Sequence, residues 1–304
     1  MTRLQKTILH SIIGYPLAGM VVVLSWLPWP AMYGISSLLA FLMTKVIGYR
    51  RKVIMENLRN SFPEKSEQDL QQIRRDFYRH LADVIVETIK TMSLTERQMK
   101  QRSRLTPQAE ALLKRLEKEE RSAMGLLGHF GNWEWASPPV TLQTSFSVVT
   151  AYRPLRNKIL DKLLRRIRGR FTHELLPKNQ IGRALLRYRQ TRKPIIAGLI
   201  ADQSPGPQAE YQTTFLSQET LIYSGPDILA RKMKMPVYFV APRKEKRGHY
   251  LVHISLLAEN PDEMPEGEIG RLFMKALEEE IRRSPALYLW SHRRWKHKPP
   301  PGNP

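Results

Sequence analysis

The sequence contains no cysteine and comparatively few acidic residues. Without a cysteine among its 304 residues, the chain cannot form disulfide bonds, use a cysteine nucleophile or bind a metal through thiolates. Asp and Glu together number 28 against 49 Lys and Arg, so the formal net charge is +21. This excess favours anionic partners, namely nucleic acid, anionic lipid or an acidic protein. The length allows one large or two small domains.

Several catalytic signatures are also missing. The sequence has no phosphate-binding P-loop, no Gly-x-Ser-x-Gly elbow, no His-Glu-x-x-His pair and no zinc-ligand spacing. Kinase, serine hydrolase and metalloprotease functions therefore lack support. We expect neither a bound metal nor a cofactor.

Charged residues are absent from a long N-terminal stretch, Thr7 to Thr44. Within it, Ile8 to Leu27 matches the ~20 apolar residues that cross a bilayer core. Trp26 and Trp29 follow where an interfacial aromatic belt is expected. The sequence predicts one transmembrane helix here, and Ala31 to Ile47 as a second apolar segment that is slightly short for a span.

A cleaved signal peptide is the alternative for this stretch. The apolar run is longer than a signal core and no Ala-x-Ala site follows it, so we predict an uncleaved anchor. Basic residues are more numerous after the span than before it, which predicts a single-pass protein whose C-terminal bulk faces the cytoplasm. The basic residues before the span are Arg3 and Lys6, and those after it are Lys45, Arg50, Arg51 and Lys52.

The remaining chain divides into a helical part and an alternating part. We assign residues 1–47 to the anchor and interfacial segment, 48–122 to the helical N-terminal part of the catalytic domain, 123–298 to its core, and 299–304 to a disordered tail. In the helical part, Ser61-Phe62-Pro63 ends one helix and Ser66 opens the next with a capping signature.

Short apolar runs alternate with helical patterns after residue 122. This alternation predicts an α/β fold with a mostly parallel or mixed central sheet flanked by helices. The predicted strands are 124–127, 146–151, 195–200, 237–241 and 250–257. The predicted helices between and after them are 156–170, 179–192, 225–235 and 267–284, and another helix, 106–121, precedes the first strand.

One segment, Gly125 to Trp135, holds the most chemistry. Gly128 and Gly131 permit a sharp turn after the first strand, and Asn132 suits the N-cap of a helix that starts at Trp133. His129 on the turn and Glu134 in the first helical turn could then meet. A carboxylate that holds one imidazole nitrogen leaves the other free to take a proton from a hydroxyl. The backbone N–H groups near Gly131 and Asn132 are candidate oxyanion donors.

A less specific interpretation remains open for this motif. His129 could be a turn histidine whose neighbouring carboxylate merely satisfies its hydrogen bonding. Against it, the other seven histidines have no Asp or Glu five residues further on. The pattern therefore occurs once, in a glycine-rich turn after a strand.

The segment Gly-His-Phe-Gly-Asn-Trp-Glu resembles the motif of bacterial lipid A biosynthesis (late) acyltransferases, within the glycerolipid acyltransferase superfamily with its His-x4-Asp/Glu motif. Other blocks agree in order along nearly the whole chain after the anchor. They are Asn57-Leu58 with Phe62-Pro63, Tyr152-Arg-Pro-Leu-Arg-Asn157, Asp202-Gln203, and Phe215 with Gly225-Pro226 and Leu229-Ala230. Three positions depart from the pattern: Leu216 and Ser217 replace an expected Phe-Gly, and Asp227 replaces a small residue.

This resemblance implies an O-acyltransferase at the bacterial inner membrane. A fatty acyl thioester, on acyl carrier protein or coenzyme A, would be attacked by a hydroxyl of a lipid A precursor. His129 would be the base and Glu134 its orienter, with Arg153 on a lipid phosphate or the oxyanion. Asn157 is a weaker binding candidate because it could simply cap a helix, and Asp202 could brace the site or only form a turn.

Basic clusters fit such substrates. The predicted helix 156–170 has an apolar face and a cationic face, which could meet an anionic membrane surface or an acidic carrier. Its cations are Lys162, Arg165, Arg166, Arg168 and Arg170, and a second cluster runs from Trp290 to Lys296. Other acceptors, such as a lysophospholipid, an aminolipid or a glycosylated phosphoinositide, stay open. A membrane-tethered nucleic-acid-binding protein would explain the charge but not the histidine turn, so we expect no nucleic acid partner. The oligomeric state is not predicted.

Overall fold

A computed structural model shows the fold. It describes residues 3–297, and the side chains of residues 14–297. The predicted disordered tail, 299–304, lies outside the described residues, as do the side chains at the start of the predicted span.

Helices and strands alternate over much of the chain. The helices are α1 (Arg3–Ser25), α2 (Trp29–Phe41), α3 (Arg51–Ser61), α4 (Glu67–Thr91), α5 (Glu96–Arg102), α6 (Pro107–Lys118), α7 (Pro138–Gln143), α8 (Lys158–Arg168), α9 (Ile181–Thr191), α10 (Gly225–Met233) and α11 (Glu268–Arg283). The strands are β1 (Ser103–Leu105), β2 (Ala123–Leu127), β3 (Ser147–Tyr152), β4 (Glu174–Pro177), β5 (Ile195–Ile200), β6 (Tyr211–Phe215), β7 (Gln218–Ile222), β8 (Val237–Lys246) and β9 (His249–Ala258).

A seven-stranded mixed sheet forms the centre of the molecule. Its order is β1-β9-β8-β2-β5-β3-β4, and β6 and β7 form a separate two-stranded sheet. In the central sheet the β8–β9 pair is antiparallel and the other pairs are parallel. All five residues of β2 are buried, as expected for a central strand covered on both faces. The prediction of an α/β fold with a mixed sheet is confirmed.

The helical N-terminal region agrees with its sequence signals. α3 ends at Ser61, α4 begins at Glu67, and the Ser66 hydroxyl accepts the Asp69 backbone N–H at 3.2 Å. This cap satisfies one of the N–H groups that a helix start leaves unpaired. α4 then packs against both α2 and α3.

The structure shows no helix that matches the predicted transmembrane span among the residues whose side chains are described. Among the residues whose side chains are described, no single helix is both long and apolar enough to cross a bilayer. The apolar part of α1 there is Gly14–Ser25, and one pair, Trp29–Val46 with Arg51–Ser61, passes by length and composition but is bent by 88°. The predicted span, 8–27, begins in residues whose side chains lie outside the described part.

The β6–β7 hairpin was not predicted from the sequence. Its two connecting residues, Leu216 and Ser217, have φ angles of +50° and +61°. Such turns normally carry Asn-Gly or Asp-Gly, because these residues tolerate positive φ. Because Leu216 and Ser217 stand where Phe-Gly is expected, the sequence has no glycine at this turn and so lacks the residue that would have predicted a hairpin.

Candidate active site

Two neighbouring strands bring His129 and Asp202 together. β2 and β5 pair in parallel with Leu127 opposite Ile200, and the Ala201 N–H continues the ladder to the Leu127 carbonyl at 3.0 Å. His129 and Asp202 each lie two residues beyond the end of their strand. Because the carboxyl ends of parallel strands share one edge, the two side chains meet there.

Two glycines shape the turn of residues 128–135, which we call the His129 turn. A Cβ added at Gly128 would lie 2.6 Å from the Leu277 side chain, so a larger residue would displace α11 packing. Gly131 has φ +58°, and a Cβ there would lie 1.9 Å from the Pro242 carbonyl oxygen. The turn therefore requires glycine at 131 both for its backbone conformation and for its close approach to β8.

Asp202 holds the His129 imidazole through two contacts. The ring Nδ1 lies 2.7 Å from Asp202 Oδ1, and the His129 backbone N–H donates to Oδ2 at 3.0 Å. Burial alone would lower the pKa of His129, but the attraction of the Asp202 carboxylate outweighs it, so the pKa is raised. Burial alone would raise the pKa of Asp202, but the interactions with His129 keep it below its usual value.

The other ring nitrogen of His129, Nε2, is the one that can accept a proton. With Nδ1–H donated to Asp202, Nε2 carries a lone pair. The Gln203 amide nitrogen lies 3.4 Å from Nε2, and the Trp133 ring packs edge-on at 5.1 Å between centroids. The histidine is thus held in the tautomer that a general base requires.

The predicted contact between His129 and Glu134 is wrong in this structure. Glu134 instead accepts two hydrogen bonds from the Arg168 guanidinium, at 2.7 Å from Nε and 2.5 Å from Nη2. The reason is local: residues Trp133–Trp135 form a 3₁₀ turn rather than the start of an α-helix, and Glu134 faces α8. Glu134 and Arg168 remain close enough to His129 to affect its pKa, Glu134 raising it and Arg168 lowering it.

Asn132 does not cap a helix and the Gly131 N–H is already bonded, whereas the role of the Asn132 N–H as an oxyanion donor stays a prediction. Asn132 makes no side-chain cap to the turn that follows it, and its Nδ2 donates to Glu87 Oε2 at 2.7 Å. The Gly131 N–H donates to the Leu287 carbonyl at 3.0 Å. That N–H is therefore engaged and cannot bind an oxyanion in this conformation.

Arg153 and Asn157 lie after β3. Arg153 is exposed just beyond the end of the strand, at the same sheet edge as Asp202. The Asn157 Oδ1 accepts the backbone N–H groups of Ile159 and Leu160 at 3.0 and 3.3 Å. Asn157 is thus the N-cap of α8, which is the structural role that the sequence left open for it.

The sequence did not point to Tyr288 as a neighbour of Asp202. Burial raises the pKa of Tyr288 and the nearby Asp202 carboxylate raises it further, while the Arg294 cation is near enough to lower the pKa of Asp202. Arg294 itself is buried and donates to Thr220 Oγ1 and the Leu221 carbonyl at 2.7 and 2.8 Å. Within the Trp290–Lys296 cluster, Trp290 and Arg294 are buried, whereas Arg293 and Lys296 are exposed.

The cationic face of α8 is smaller than predicted. Lys162, Arg165 and Arg166 are exposed. Arg168 instead pairs with Glu134, and the Arg170 guanidinium donates to the Leu94 carbonyl at 3.0 and 2.6 Å. Three of the five predicted cations remain available to a partner.

A buried carboxylate thus holds a histidine at the carboxyl edge of an α/β sheet. The model of the bacterial lipid A biosynthesis acyltransferase family matches residues 1–297, so the chain belongs to that family and is an acyltransferase.

Named relatives agree with this membership. The lipid A biosynthesis palmitoleoyltransferase of Escherichia coli strain K12 is 24% identical over 98% of this chain and 96% of its own length. The lauroyltransferase of the same organism is 22% identical over 92% of this chain and 90% of its own. A lipid A biosynthesis acyltransferase of Haemophilus influenzae is 25% identical over 90% of this chain and 86% of its own.

Proposed function

We propose that this acyltransferase moves a fatty acyl chain from a thioester to a hydroxyl of a lipid A precursor, with His129 as general base. The observation that carries the chemistry is the 2.7 Å contact between His129 Nδ1 and Asp202, which leaves Nε2 as the proton acceptor. The acceptor class follows from the family and from the relatives' names.

His129 alone carries the proton from the attacking hydroxyl to the departing thiolate in the proposed reaction. Nε2 takes the proton of the acceptor hydroxyl as the hydroxyl oxygen attacks the thioester carbonyl carbon. The carbon–sulfur bond of the resulting tetrahedral oxyanion then breaks. The imidazolium returns its proton to the departing thiolate, which leaves as a free thiol. Asp202 stabilises the imidazolium between the two steps and fixes its orientation.

Arg168 is the cation that we assign to the developing oxyanion. Glu134 holds its guanidinium in place, so its charge is fixed before the reaction begins, as electrostatic stabilisation requires. In this scheme Glu134 positions Arg168, and Asp202 takes the orienting role that the sequence pattern gave to Glu134. Arg153, exposed at the same edge, is placed to contact a phosphate of the lipid acceptor.

Two surfaces suit the substrates. The exposed cations of α8, Lys162, Arg165 and Arg166, complement an acidic carrier protein that presents the acyl thioester. Exposed apolar side chains on α1, on α2 and on the turn between them suit insertion into the inner membrane from its cytoplasmic side. They include Tyr15, Met20, Val23, Trp26, Leu38 and Phe41, and Val46 and Ile47 extend the surface beyond α2.

The acceptor is tested by the lipids of cells with and without the chain. The proposal predicts that deletion removes one acyl group from lipid A, and that the intact gene restores it while a His129→Ala copy does not. Unchanged lipid A together with an altered phospholipid or aminolipid would show a different acceptor. That result would overturn the lipid A assignment but leave the acyltransferase class in place.

A further inference from the structure

A row of polar side chains on α4 faces the back of the His129 turn. His80 Nε2 lies 3.0 Å from the Gly131 carbonyl oxygen, Glu87 accepts the Asn132 amide at 2.7 Å, and Thr91 Oγ1 accepts the Trp135 indole N–H at 2.8 Å. Spacings of seven and four residues put these three side chains on one face of the helix. The reaction scheme above uses none of them.

Glu87 is the centre of this row. Its carboxylate has no exposed surface and accepts three hydrogen bonds: from Asn132, from the Tyr250 hydroxyl at 2.9 Å and from the Tyr33 hydroxyl at 3.1 Å. The donors come from the His129 turn, β9 and α2. A single carboxylate therefore fixes three separate parts of the fold relative to one another.

Burial of a carboxylate is costly, so its position here has a consequence for stability. Burial, reinforced by the nearby Asp83, raises the pKa of Glu87 to about 7 although three donors favour its charged form. Replacing such a carboxylate together with all its hydrogen-bond donors by apolar side chains is often neutral or stabilising. The stability of the fold alone therefore does not require this buried polar cluster.

We propose that Glu87 is a positioning residue for acyl transfer, and that it acts by holding Asn132 and with it the His129 turn. This inference rests on the proposed function of His129. Asn132 is three residues from His129 and fully buried, so a change in its anchoring moves the imidazole relative to Asp202 and the substrates. A displacement of ~1 Å can cost about a hundredfold in rate.

The test distinguishes three properties of the side chain at position 87: its ability to accept a hydrogen bond, its charge and its size. Glu87→Leu keeps the bulk and removes the acceptor, whereas Glu87→Gln keeps an acceptor, because the tyrosine hydroxyls can rotate to accept from the new amide. We expect Glu87→Leu to lower kcat at least ~10-fold with KM for both substrates within ~3-fold. Glu87→Gln should stay within ~3-fold of the wild type in both constants.

Three further variants complete the test, and two of them, Asn132→Ala and Tyr33→Phe, keep it decisive if Glu87→Leu folds poorly. Asn132→Ala removes the same contact from the other side and should also lower kcat at least ~10-fold. The Glu87→Leu/Asn132→Ala double variant should be no slower than the slower single variant, because both remove one contact. Tyr33→Phe is the matched control: it removes a hydrogen bond from the same carboxylate but leaves Asn132 bound, so kcat should change less than ~3-fold.

The inference is overturned if Asn132→Ala keeps kcat within ~3-fold of the wild type, or if Tyr33→Phe lowers kcat as much as Asn132→Ala does. It is also overturned if the losses in the double variant multiply. All variants are measured beside His129→Ala. An active His129→Ala protein would refute the proposed function itself, whereas an inactive one with an unaffected Asn132→Ala refutes only the role of Glu87.

Discussion

The hydrogen bond between His129 and Asp202 sets the pH range over which the imidazole becomes neutral and can act as a base. Because the carboxylate stabilises the imidazolium, the pKa of His129 is raised above its usual range near 6.5. A general base must be neutral before it accepts a proton. The rate of transfer should therefore rise with pH through the pKa of His129.

Removing the Asp202 charge should move the acid limb of the pH–rate profile, which is the range over which the rate rises with pH. In Asp202→Asn the imidazolium loses its main stabilising partner, so the pKa of His129 falls and the limb shifts to lower pH, while the maximal rate falls because the ring is less well oriented. The pH dependence of kcat/KM measures both effects. Glu134→Gln serves as the control and should shift the limb less, since Glu134 raises the pKa of His129 less than Asp202 does. A limb that stays fixed in Asp202→Asn would contradict the assignment.

Ser217 carries backbone strain that can be relieved. Its φ of +61° is in the left-handed region, where a non-glycine residue costs ~1–2 kcal/mol. Glycine at position 217 would relieve this strain. It would also give the unfolded chain more conformational freedom, which lowers the free energy of unfolding by ~0.4–1 kcal/mol. Ser217→Gly should raise the free energy of unfolding by up to about 1 kcal/mol. Denaturant unfolding measures the change, and Ser217→Ala, which keeps the strain, should not be more stable.

At the scale of elements, α8 has two roles on two faces. Arg168 points inward to Glu134, whereas Lys162, Arg165 and Arg166 are exposed. The helix therefore links the fixed cation of the site to a surface that suits an acidic carrier. Exposed charges attract mainly within a Debye length, ~8 Å at physiological ionic strength, so this contact should weaken with salt.

Charge reversal on α8 should imitate high salt. We expect Arg165→Glu/Arg166→Glu to raise the KM for the acyl carrier thioester at least ~10-fold at low salt and to flatten its salt dependence, with the KM for the lipid little changed. Steady-state kinetics over a salt series provide the measurement. Lys114→Glu/Lys118→Glu reverses two exposed cations on α6 and changes the net charge equally. If both pairs have the same effect, α8 is not the docking face.

The elements show how far the sequence could predict the molecule. β5 was predicted over 195–200, its observed bounds, because its six residues form one continuous apolar run between turn signals, although only Ile195, Ala197 and Leu199 are buried. The β6–β7 hairpin was missed because Leu216 and Ser217 adopt positive φ without a glycine.

The partner of His129 was mistaken for a more general reason. Asp202 lies 73 residues from His129, and only the pairing of β2 with β5 aligns the two strand ends. Spacing along the chain showed Glu134, which is close in sequence but faces α8. A local pattern can locate a catalytic turn, whereas the order of strands in the sheet decides which side chain reaches it.

On the scale of the whole molecule, an apolar surface and a cationic surface lie side by side. α1 contacts the start of α8 closely, since a Cβ added at Gly14 would lie 3.0 Å from the Ile159 Cβ. α2 and the turn that precedes it expose large apolar side chains, Phe41 at 56% and Trp26 at 75% of their surfaces. This pairing suits a protein that takes its lipid from the bilayer and its acyl chain from an acidic carrier.

The apolar surface should control membrane binding. Trp26→Ser/Phe41→Ser should lower the bound fraction on anionic lipid vesicles at high salt, where the screened cationic contacts contribute little. Vesicle sedimentation provides the measurement. Leu256→Ser, on β9, removes an apolar side chain of similar exposure, 51%, from another part of the molecule and is the control. Equal loss in both proteins would show that the α1–α2 surface has no special role.

The most direct test of the account is the activity of His129→Ala. Purified protein is given an acyl carrier thioester and a lipid A precursor, and the mass of the lipid is followed with time. We predict that the wild type adds one acyl group and that His129→Ala is at least ~100-fold slower although it still folds, because general-base catalysis is worth ~10²–10⁴-fold. His249→Ala, on β9, should transfer at the wild-type rate. Transfer by His129→Ala within a few-fold of the wild type would contradict the account.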